Sequence, residues 1–300
     1  MKTSLVIMAA GLASRYGGSK QTTGMGPHGE LLMEYSVYDA IRAGFGRVVF
    51  IIRPELLDTV RALCGDRFSR QVEVCYAFQD YSSLPAWYRV PEGRVKPYGT
   101  VHAMLCARPY LDGPFAVLNA DDYYGVESFA IMREFLDGCG DDGCAAMMGY
   151  RLRNTVSAYG DVTRGICRVE DGMLAGVEEV GRIRLYPDGA IADVTGGEPG
   201  RPLDPEAPVS MNFWGFPAAL SDRFRAAFED FLRRSDPADL KSECLLPVMV
   251  DRLIRADELR VRVLDTAATW FGVTYQEDRP RVQQALAALH ARGLYEGTRD

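Results

Sequence analysis

Lysine and histidine are scarce in this chain. Four lysines (Lys2, Lys20, Lys96, Lys241) stand against thirty arginines, and His28, His102 and His290 are the only imidazoles in 300 residues. So few histidines leave no convincing nucleophile–base–orienter triad. The arginine excess reads as genome composition, but each lysine then marks a place where a guanidinium was not used, which draws attention to Lys20 and Lys241. Seven cysteines form no C-x-x-C pair and no evenly spaced framework. An odd number, mostly inside apolar runs, points to reduced, buried thiols in a reducing compartment. The run from Cys139 to Cys144 is dense in Gly and Asp and reads as a turn rather than a metal loop. No apolar stretch reaches the ~18 residues of a membrane-spanning helix. Positive charge is not in excess either. With 34 basic and 41 acidic side chains the formal net charge is −7, so the chain is a poor non-specific nucleic-acid binder and any phosphate binding must be local.

What is present is a soluble globular composition, 47% hydrophobic and 25% charged. A chain of this length forms one large domain or two ordinary ones and needs no disulfide or metal staple. Lys2 followed by residues 4–10 mimics a short signal peptide, with small residues at 10–13 near a cleavage point. That run is rich in Val and Ile and stops in a Gly-rich segment, as a buried strand entering a loop also does. A cytoplasmic protein is expected.

Apolar periodicity predicts strands at 5–9, 48–52, 72–78 and 115–118, alternating with helical patterns at 33–45, 54–67 and 100–107. Such alternation through residue 150 argues for an open, mostly parallel twisted α/β sheet with helices on both faces, binding ligands at the carboxyl ends of its strands. Beyond Tyr150 the pattern changes. Residues 164–169 and 173–179 flank Glu170-Asp171-Gly172, a hairpin signal, and Pro187-Asp188-Gly189 is a second turn. A Gly- and Pro-rich loop over 196–208 precedes a strand at 209–216, helices at 224–233 and 245–254, a strand at 259–264 and a closing helix over 278–292. There is no internal repeat, low-complexity tract or clear linker. One α/β unit with a β-rich insertion and C-terminal helices fits this best.

Between the first strand and the first helix lies Ala9-Ala10-Gly11-Leu12-Ala13-Ser14-Arg15-Tyr16-Gly17-Gly18-Ser19-Lys20-Gln21. Glycines there let backbone N–H groups face a common point, while Arg15 offers a planar fork and Lys20 a compact charge, together a polyphosphate cradle. It is not a Walker loop, since neither Gly17 nor Gly18 precedes a Lys, and Ala13 breaks a G-x-G-x-x-G dinucleotide fingerprint. A formal fingerprint at Gly24-Met25-Gly26-Pro27-His28-Gly29 has no strand before it and is interrupted by Pro27.

The loop resembles the A-A-G-x-G-[ST]-R-x(n)-K signature of the sugar-phosphate nucleotidyltransferases, in Ala9-Ala10-Gly11, Ser14-Arg15 and Lys20-Gln21. The segment from Pro27 to Gly46 is similar to that family's P-x-x-G-K-P-L-x-E-Y stretch, with Glu30 where a Lys is usual. Gly99-Thr100-Val101-His102-Ala103 resembles its G-[LT]-x-[HQ]-A helix start, and Asn119-Ala120-Asp121-Asp122-Tyr123-Tyr124-Gly125 its metal-binding strand end. The resemblance implies a nucleotide-diphospho-sugar transferase fold, with one domain over 1–300: a nucleotide-binding half at 1–150 and a sugar- or acceptor-binding half at 151–300.

It also implies roles. Arg15 holds the leaving pyrophosphate and Lys20 the phosphoryl group under attack, with Ala10, Gly11, Ser14, Gly99 and Thr100 around the nucleotide. Gln79 reads a pyrimidine edge and His102 lines the same pocket. Asp121 binds Mg²⁺, with Asp122 as the other candidate because the match slides by one residue. In the second half Tyr159 and Gly160 belong to a sugar-cradling loop, and Glu178-Glu179 resembles the glutamate of a V-E-K-P motif whose Lys and Pro are absent, so that Arg182 or Lys241 replaces them. Residues 270–278 resemble W-x-D-V-G-T-P-E-D, but Gly272 stands where a second metal carboxylate is expected; either one metal suffices, or Asn212 or Asp265 fills in.

The implied reaction condenses a nucleoside triphosphate with a sugar 1-phosphate or similar phosphorylated alcohol, with uridine or thymidine the donor if Gln79 reads the base. The partners are those two small molecules, with no nucleic acid and no membrane, and homo-oligomer formation is left open. Two alternatives stand beside it. A glycosyltransferase needs a spaced Asp-x-Asp, whereas Asp121 and Asp122 are adjacent; a non-catalytic nucleotide-sugar-binding protein is favoured by Gly272.

Overall fold

The computed structural model describes residues 1–11, 24–140, 143–272 and 275–295. In chain order, β1 (Ser4–Met8), α1 (Leu32–Arg42), β2 (Arg47–Ile52) and β3 (Glu73–Phe78) are followed by α2 (Thr100–Ala107), β4 (Phe115–Asn119), β5 (Asp122–Tyr123), α3 (Val126–Asp137) and β6 (Cys144–Arg151). Next come β7 (Val162–Glu170), β8 (Met173–Leu185), β9 (Ile191–Asp193), β10 (Arg201–Pro202) and β11 (Pro208–Phe216). Helices α4 (Leu220–Arg234) and α5 (Leu246–Arg255), strands β12 (Arg260–Thr266) and β13 (Phe271–Gly272), and α6 (Arg279–Ala291) complete the chain. The single helix read from sequence over 54–67 is instead a run of short helical turns that reaches Phe68.

The early strands are parallel. β1 pairs β2 on one edge and β4 on the other, and β2 pairs β3. The near-continuous apolar runs of β1, β2 and β4 reflect burial on both faces, while β3 lies at the edge of the sheet and is half-exposed. Leu5 and Ile7 of β1 join a core with Met33 and Val37 of α1 and Phe129 and Met132 of α3. Val6 points the other way, into a core with Val101 and Met104 of α2, Phe224 of α4 and Met249 of α5. Helices therefore cover both faces, as the alternation predicts. A third cluster joins Leu32 and Tyr35 of α1 to Val282 and Leu286 of α6 and to Tyr123.

The expectation of an open, mostly parallel sheet needs correction. The main sheet is mixed: β11 runs antiparallel to both β4 and β6, while β12 lies parallel to β6 and antiparallel to β8. The strands β7, β8, β12, β6 and β11 form a closed ring, because β7 pairs both β8 and β11. The physical reason lies in β11. Its edge opposite β6 serves β7 at Val209 and Ser210 and then β4 from Trp214, and the register breaks between them around Asn212, whose φ is +64°. Such a bulge redirects a strand and lets one edge serve two partners. Among the described residues no helix is long and apolar enough to cross a membrane.

Candidate active site

The carboxyl ends of β4, β1, β2 and β3 open into one cavity of about 500 Å³. Ala10 and Gly11 enter it from β1, Arg53 from β2, Gln79 from β3, and Asn119, Ala120 and Asp121 from β4. Such a site, where connections leave a parallel sheet to opposite sides, is where α/β proteins hold ligands. Gly99, Thr100 and Ala103 at the start of α2 form a wall, and Lys96 and Glu243, paired at 2.6 Å, form another. Ser14, Arg15 and Lys20 lie outside the described residues.

The α2 wall is built by a glycine. Gly99 has φ +89°, and a Cβ there would sit 2.6 Å from the carbonyl oxygen of Cys244. This close approach lets Val101 donate its N–H to that same carbonyl at 3.1 Å, while Leu246 N–H donates to Thr100 Oγ1 at 2.7 Å. The start of α2 and the start of α5 thus cap one another. Arg94, almost fully buried, stacks 3.7 Å from the Tyr98 ring centroid and donates to the Ser242 carbonyl at 2.6 Å, clamping the 94–98 segment onto the same unit. Gln79 is fixed from two sides. Its backbone N–H donates to Ile52 O at 2.8 Å and its Nε2 to Gly99 O at 3.1 Å. A carbonyl only accepts, so the amide orientation is set and Oε1 is the acceptor left for a ligand.

His102 does not line the cavity. It is fully buried behind α2, stacked on Phe228 with ring centroids 5.5 Å apart. Its Nδ1 accepts the Tyr98 N–H at 3.4 Å, so the neutral ring carries its proton on Nε2, 2.9 Å from Ser83 Oγ. Burial pushes its pKa down to about 4, and Asp80 opposes that shift. An imidazole on a packed helix face is indistinguishable from a pocket residue by spacing alone.

Asp121 and Asp122 separate. Asp121 lines the cavity and is half-buried. Asp122 lies in β5, buried, where its Oδ2 accepts from Asn119 Nδ2 at 2.9 Å and from the Tyr124 hydroxyl at 3.2 Å. Asn212 extends this network: its Nδ2 donates to Asn119 Oδ1 and its Oδ1 accepts from Trp214 Nε1, both at 2.9 Å. Asn212 therefore positions Asn119 from behind rather than lining the cavity. Gly272 sits across the β5–β13 ladder from Asp122. Asp265 is 80% exposed beside Arg151, away from the cavity walls. A hard divalent cation fits Asp121, since Mg²⁺ is commonly held by one or two carboxylates plus substrate phosphates.

The later candidates gather elsewhere. Tyr159 and Gly160 line a second cavity of about 420 Å³ with Asp161, Arg184 and Tyr275. Arg184 and Arg182 grip Asp161 at 2.7 and 2.9 Å and hold its carboxyl below the usual range. Glu178 and Glu179 are exposed on β8, Glu178 paired with Arg201 at 2.6 Å, and Lys241 is exposed on the loop before α5. None of these three lines either cavity. Among the described residues, Ala10, Gly11, Gln79, Gly99, Thr100 and Asp121 line one cavity, His102 does not, and the acceptor-side candidates do not join them. Sequence reasoning missed Arg53, Asn119, Lys96 and Glu243. Arg53, directly after the strand expected at 48–52, carried a positional signal; Glu243 carried none.

No family model matches the chain, and no curated protein matches it. Solved structures do. The inositol-1-phosphate CTP transferase from T. maritima is similar over 99% of this chain and 97% of its own, with TM-score 0.62 and 12% identity. A candidate glucose-1-phosphate thymidylyltransferase from Bacillus anthracis, in complex with a sucrose, matches over 95% of each chain with TM-score 0.61 and 14% identity. A UDP-glucose pyrophosphorylase complexed with UDP-glucose matches over 95% of this chain and 98% of its own, with TM-score 0.55 and 15% identity. At these identities the likeness is one of fold, and it spans nearly the whole chain.

Proposed function

We propose that this chain is a nucleotidyltransferase that joins a nucleoside triphosphate to a sugar 1-phosphate, or to a similar phosphorylated alcohol, with release of pyrophosphate. One observation carries the reading: a single cavity holds the Gly11 turn after β1, Asp121 after β4 and the Gln79–Gly99 pair at the end of β3. Whole-chain likeness in fold to an inositol-1-phosphate CTP transferase and a UDP-glucose pyrophosphorylase supports it.

The chemistry asks little acid–base help. A phosphomonoester has its second pKa near ~6, so at neutral pH its oxygen is already an anionic nucleophile. The obstacle is repulsion between two polyanions. Lys20 meets the phosphoryl group under attack, Arg15 the departing pyrophosphate, and backbone N–H groups around Gly11 the remaining oxygens, which fixes an in-line geometry and offsets charge. Asp121 would hold a Mg²⁺ ion, which when bound supplies charge neutralisation and Lewis acidity at the phosphates. Asn119, oriented by Asn212 and Asp122, keeps the β4 end in register beside Asp121.

For the base, Gln79 presents Oε1 as an acceptor. Uracil and thymine carry an N–H at N3 where cytosine has a bare acceptor, so uridine or thymidine triphosphate is the favoured donor. Residues 1–150 supply most of the nucleotide cavity, with Glu243 added from the second half, and 151–300 serve the acceptor, with Tyr159 and Gly160 lining a separate cavity on that side. A second reading, a protein that binds a nucleotide-sugar without turnover, is favoured by Gly272. The test is pyrophosphate release with four triphosphates crossed against a panel of sugar 1-phosphates and Mg²⁺. Release that needs both substrates supports the transferase. Activity only on a finished nucleotide-sugar points to a glycosyltransferase, and tight binding without release to the non-catalytic reading; either sinks the proposal.

A further inference from the structure

The G-x-G-x-x-G match that lacks a strand before it, Gly24 to Gly29, builds something other than a phosphate loop. It folds into a tight turn in which the N–H groups of Met25 and Gly26 both donate to Glu30 O, at 2.7 and 3.0 Å. Gly26 has no room for a side chain, since a Cβ would lie 2.1 Å from both Glu30 Oε2 and the Tyr35 hydroxyl. The turn presses His28 and Glu30 against His290 near the end of α6. One potential ligand atom from each of the three lies within 4.8 Å of the others, and among the described residues no other His, Cys, Asp and Glu group does this.

A second, independent observation concerns Glu30. The residue is 3% exposed, its Oε2 accepts the His28 N–H at 3.0 Å, and its Oε1 is buried with no hydrogen-bond partner. A carboxylate oxygen without a donor in a buried site carries a penalty that a bound cation removes. The His290 ring is already oriented, with the Tyr35 hydroxyl 2.9 Å from Nε2, and it meets the His28 ring edge-on at 5.6 Å between centroids. An imidazole held through one ring nitrogen leaves the other for a metal, the arrangement usual in metal sites.

We infer that His28, Glu30 and His290 form a binding site for a zinc-type divalent cation. Two imidazole nitrogens and one carboxylate oxygen suit Zn²⁺, whereas Mg²⁺ and Ca²⁺ prefer all-oxygen shells. The site would staple α6 to the turn that leads into α1, alongside the apolar contacts of Leu32 and Tyr35 with Val282 and Leu286. It is separate from Asp121 and independent of the proposed reaction. It also gives a reason for Glu30 at a position where the resembled family usually has Lys.

The test uses the untagged, reduced, full-length protein, stripped with a chelator and titrated with ZnCl₂ against a chromophoric indicator. One equivalent should bind at micromolar or lower concentration, survive excess Mg²⁺ and raise the melting temperature. His290→Ala and His28→Ala should each weaken binding by about tenfold or more, and His28 is exposed, so its variant keeps the fold. With Co²⁺ in place of zinc, d–d bands should appear without a thiolate charge-transfer band, which excludes the cysteines. Absence of binding, wild-type affinity in both histidine variants, displacement by Mg²⁺ or a cobalt–thiolate band would each overturn the site.

Discussion

Gly272 lies directly opposite Asp122 in the β5–β13 ladder, and the ring of Trp270 fills the space where a side chain would begin. A Cβ built on Gly272 would come within 2.2 Å of that ring and 3.0 Å of Asp122 Oδ1. The position expected to supply a second metal carboxylate is thus closed to any side chain by its own neighbour two residues earlier. Gly272→Asp should not create a better enzyme. It should cost about 1–3 kcal/mol of stability, the usual range for forcing atoms into a packed site, and turnover should not rise. Urea unfolding and a Mg²⁺ titration of activity check both. A stable variant with raised turnover would show that the missing carboxylate had been the limit.

The two neighbouring aspartates should respond differently to the same change. Asp121→Asn removes a carboxylate from the cavity wall, and pyrophosphate release should fall by roughly 10²–10³-fold, as when one group that stabilises transition-state charge is lost. Asp122→Asn puts an amide where Oδ2 now accepts from Asn119 and from the Tyr124 hydroxyl. Its main effect should be on folding, about 1–3 kcal/mol for unsettling a buried hydrogen-bond group. Steady-state assays and denaturant unfolding of both variants separate the roles. Loss of activity confined to Asp122→Asn would reverse the assignment.

The parallel half of the fold was legible because β1, β2 and β4 are buried on both faces and therefore read as unbroken apolar runs. The same burial gave the place of most of the cavity, since Ala10, Gly11 and Asp121 follow such runs; Gln79 follows β3, a half-exposed edge strand. The ring was not legible. Its closure depends on which strand takes each half of one β11 edge, a non-local choice switched at Asn212 that alternation along the chain does not encode. His102 was misplaced for a related reason: on α2, the face toward the cavity and the face toward Phe228 carry the same helical spacing. Glu178 and Glu179 sit on a 13-residue strand that extends well past its predicted end, and the longer hairpin leaves them exposed.

Base selectivity should rest on Gln79. Its Nε2 is committed to the Gly99 carbonyl, so Oε1 is the atom that would meet the base. Gln79→Ala should lower kcat/KM for the preferred triphosphate by up to about tenfold, the worth of one net hydrogen bond. The less favoured pyrimidine should be affected less, so that the two converge. Competition assays with paired triphosphates measure the ratio directly. An unchanged ratio would mean that the base is read elsewhere.

His102 should leave a mark on the pH dependence of stability. Its folded pKa is depressed to about 4 from 6.5 by burial, so between those values the unfolded chain binds a proton that the folded one refuses. Stability from this group is therefore fully present above pH 6.5 and is lost as pH falls toward 4, at up to ~1.4 kcal/mol per unit. Between pH 7 and pH 5 the loss amounts to about 2 kcal/mol. Asp80 and Arg94 are the charged groups acting on the ring, and they act with opposite sign. Asp39, buried and raised to about 7, works against the trend: its protonated form is favoured by folding, so its contribution falls as pH rises from 3.8. The difference between wild type and His102→Gln cancels Asp39 and isolates the imidazole. Urea unfolding at pH 7 and pH 5 should show the wild type losing about 2 kcal/mol more than the variant, whatever the variant's own stability at pH 7. Parallel losses in the two proteins would mean that His102 is protonated as readily inside the fold as outside it, and that the stack on Phe228 does not keep it neutral.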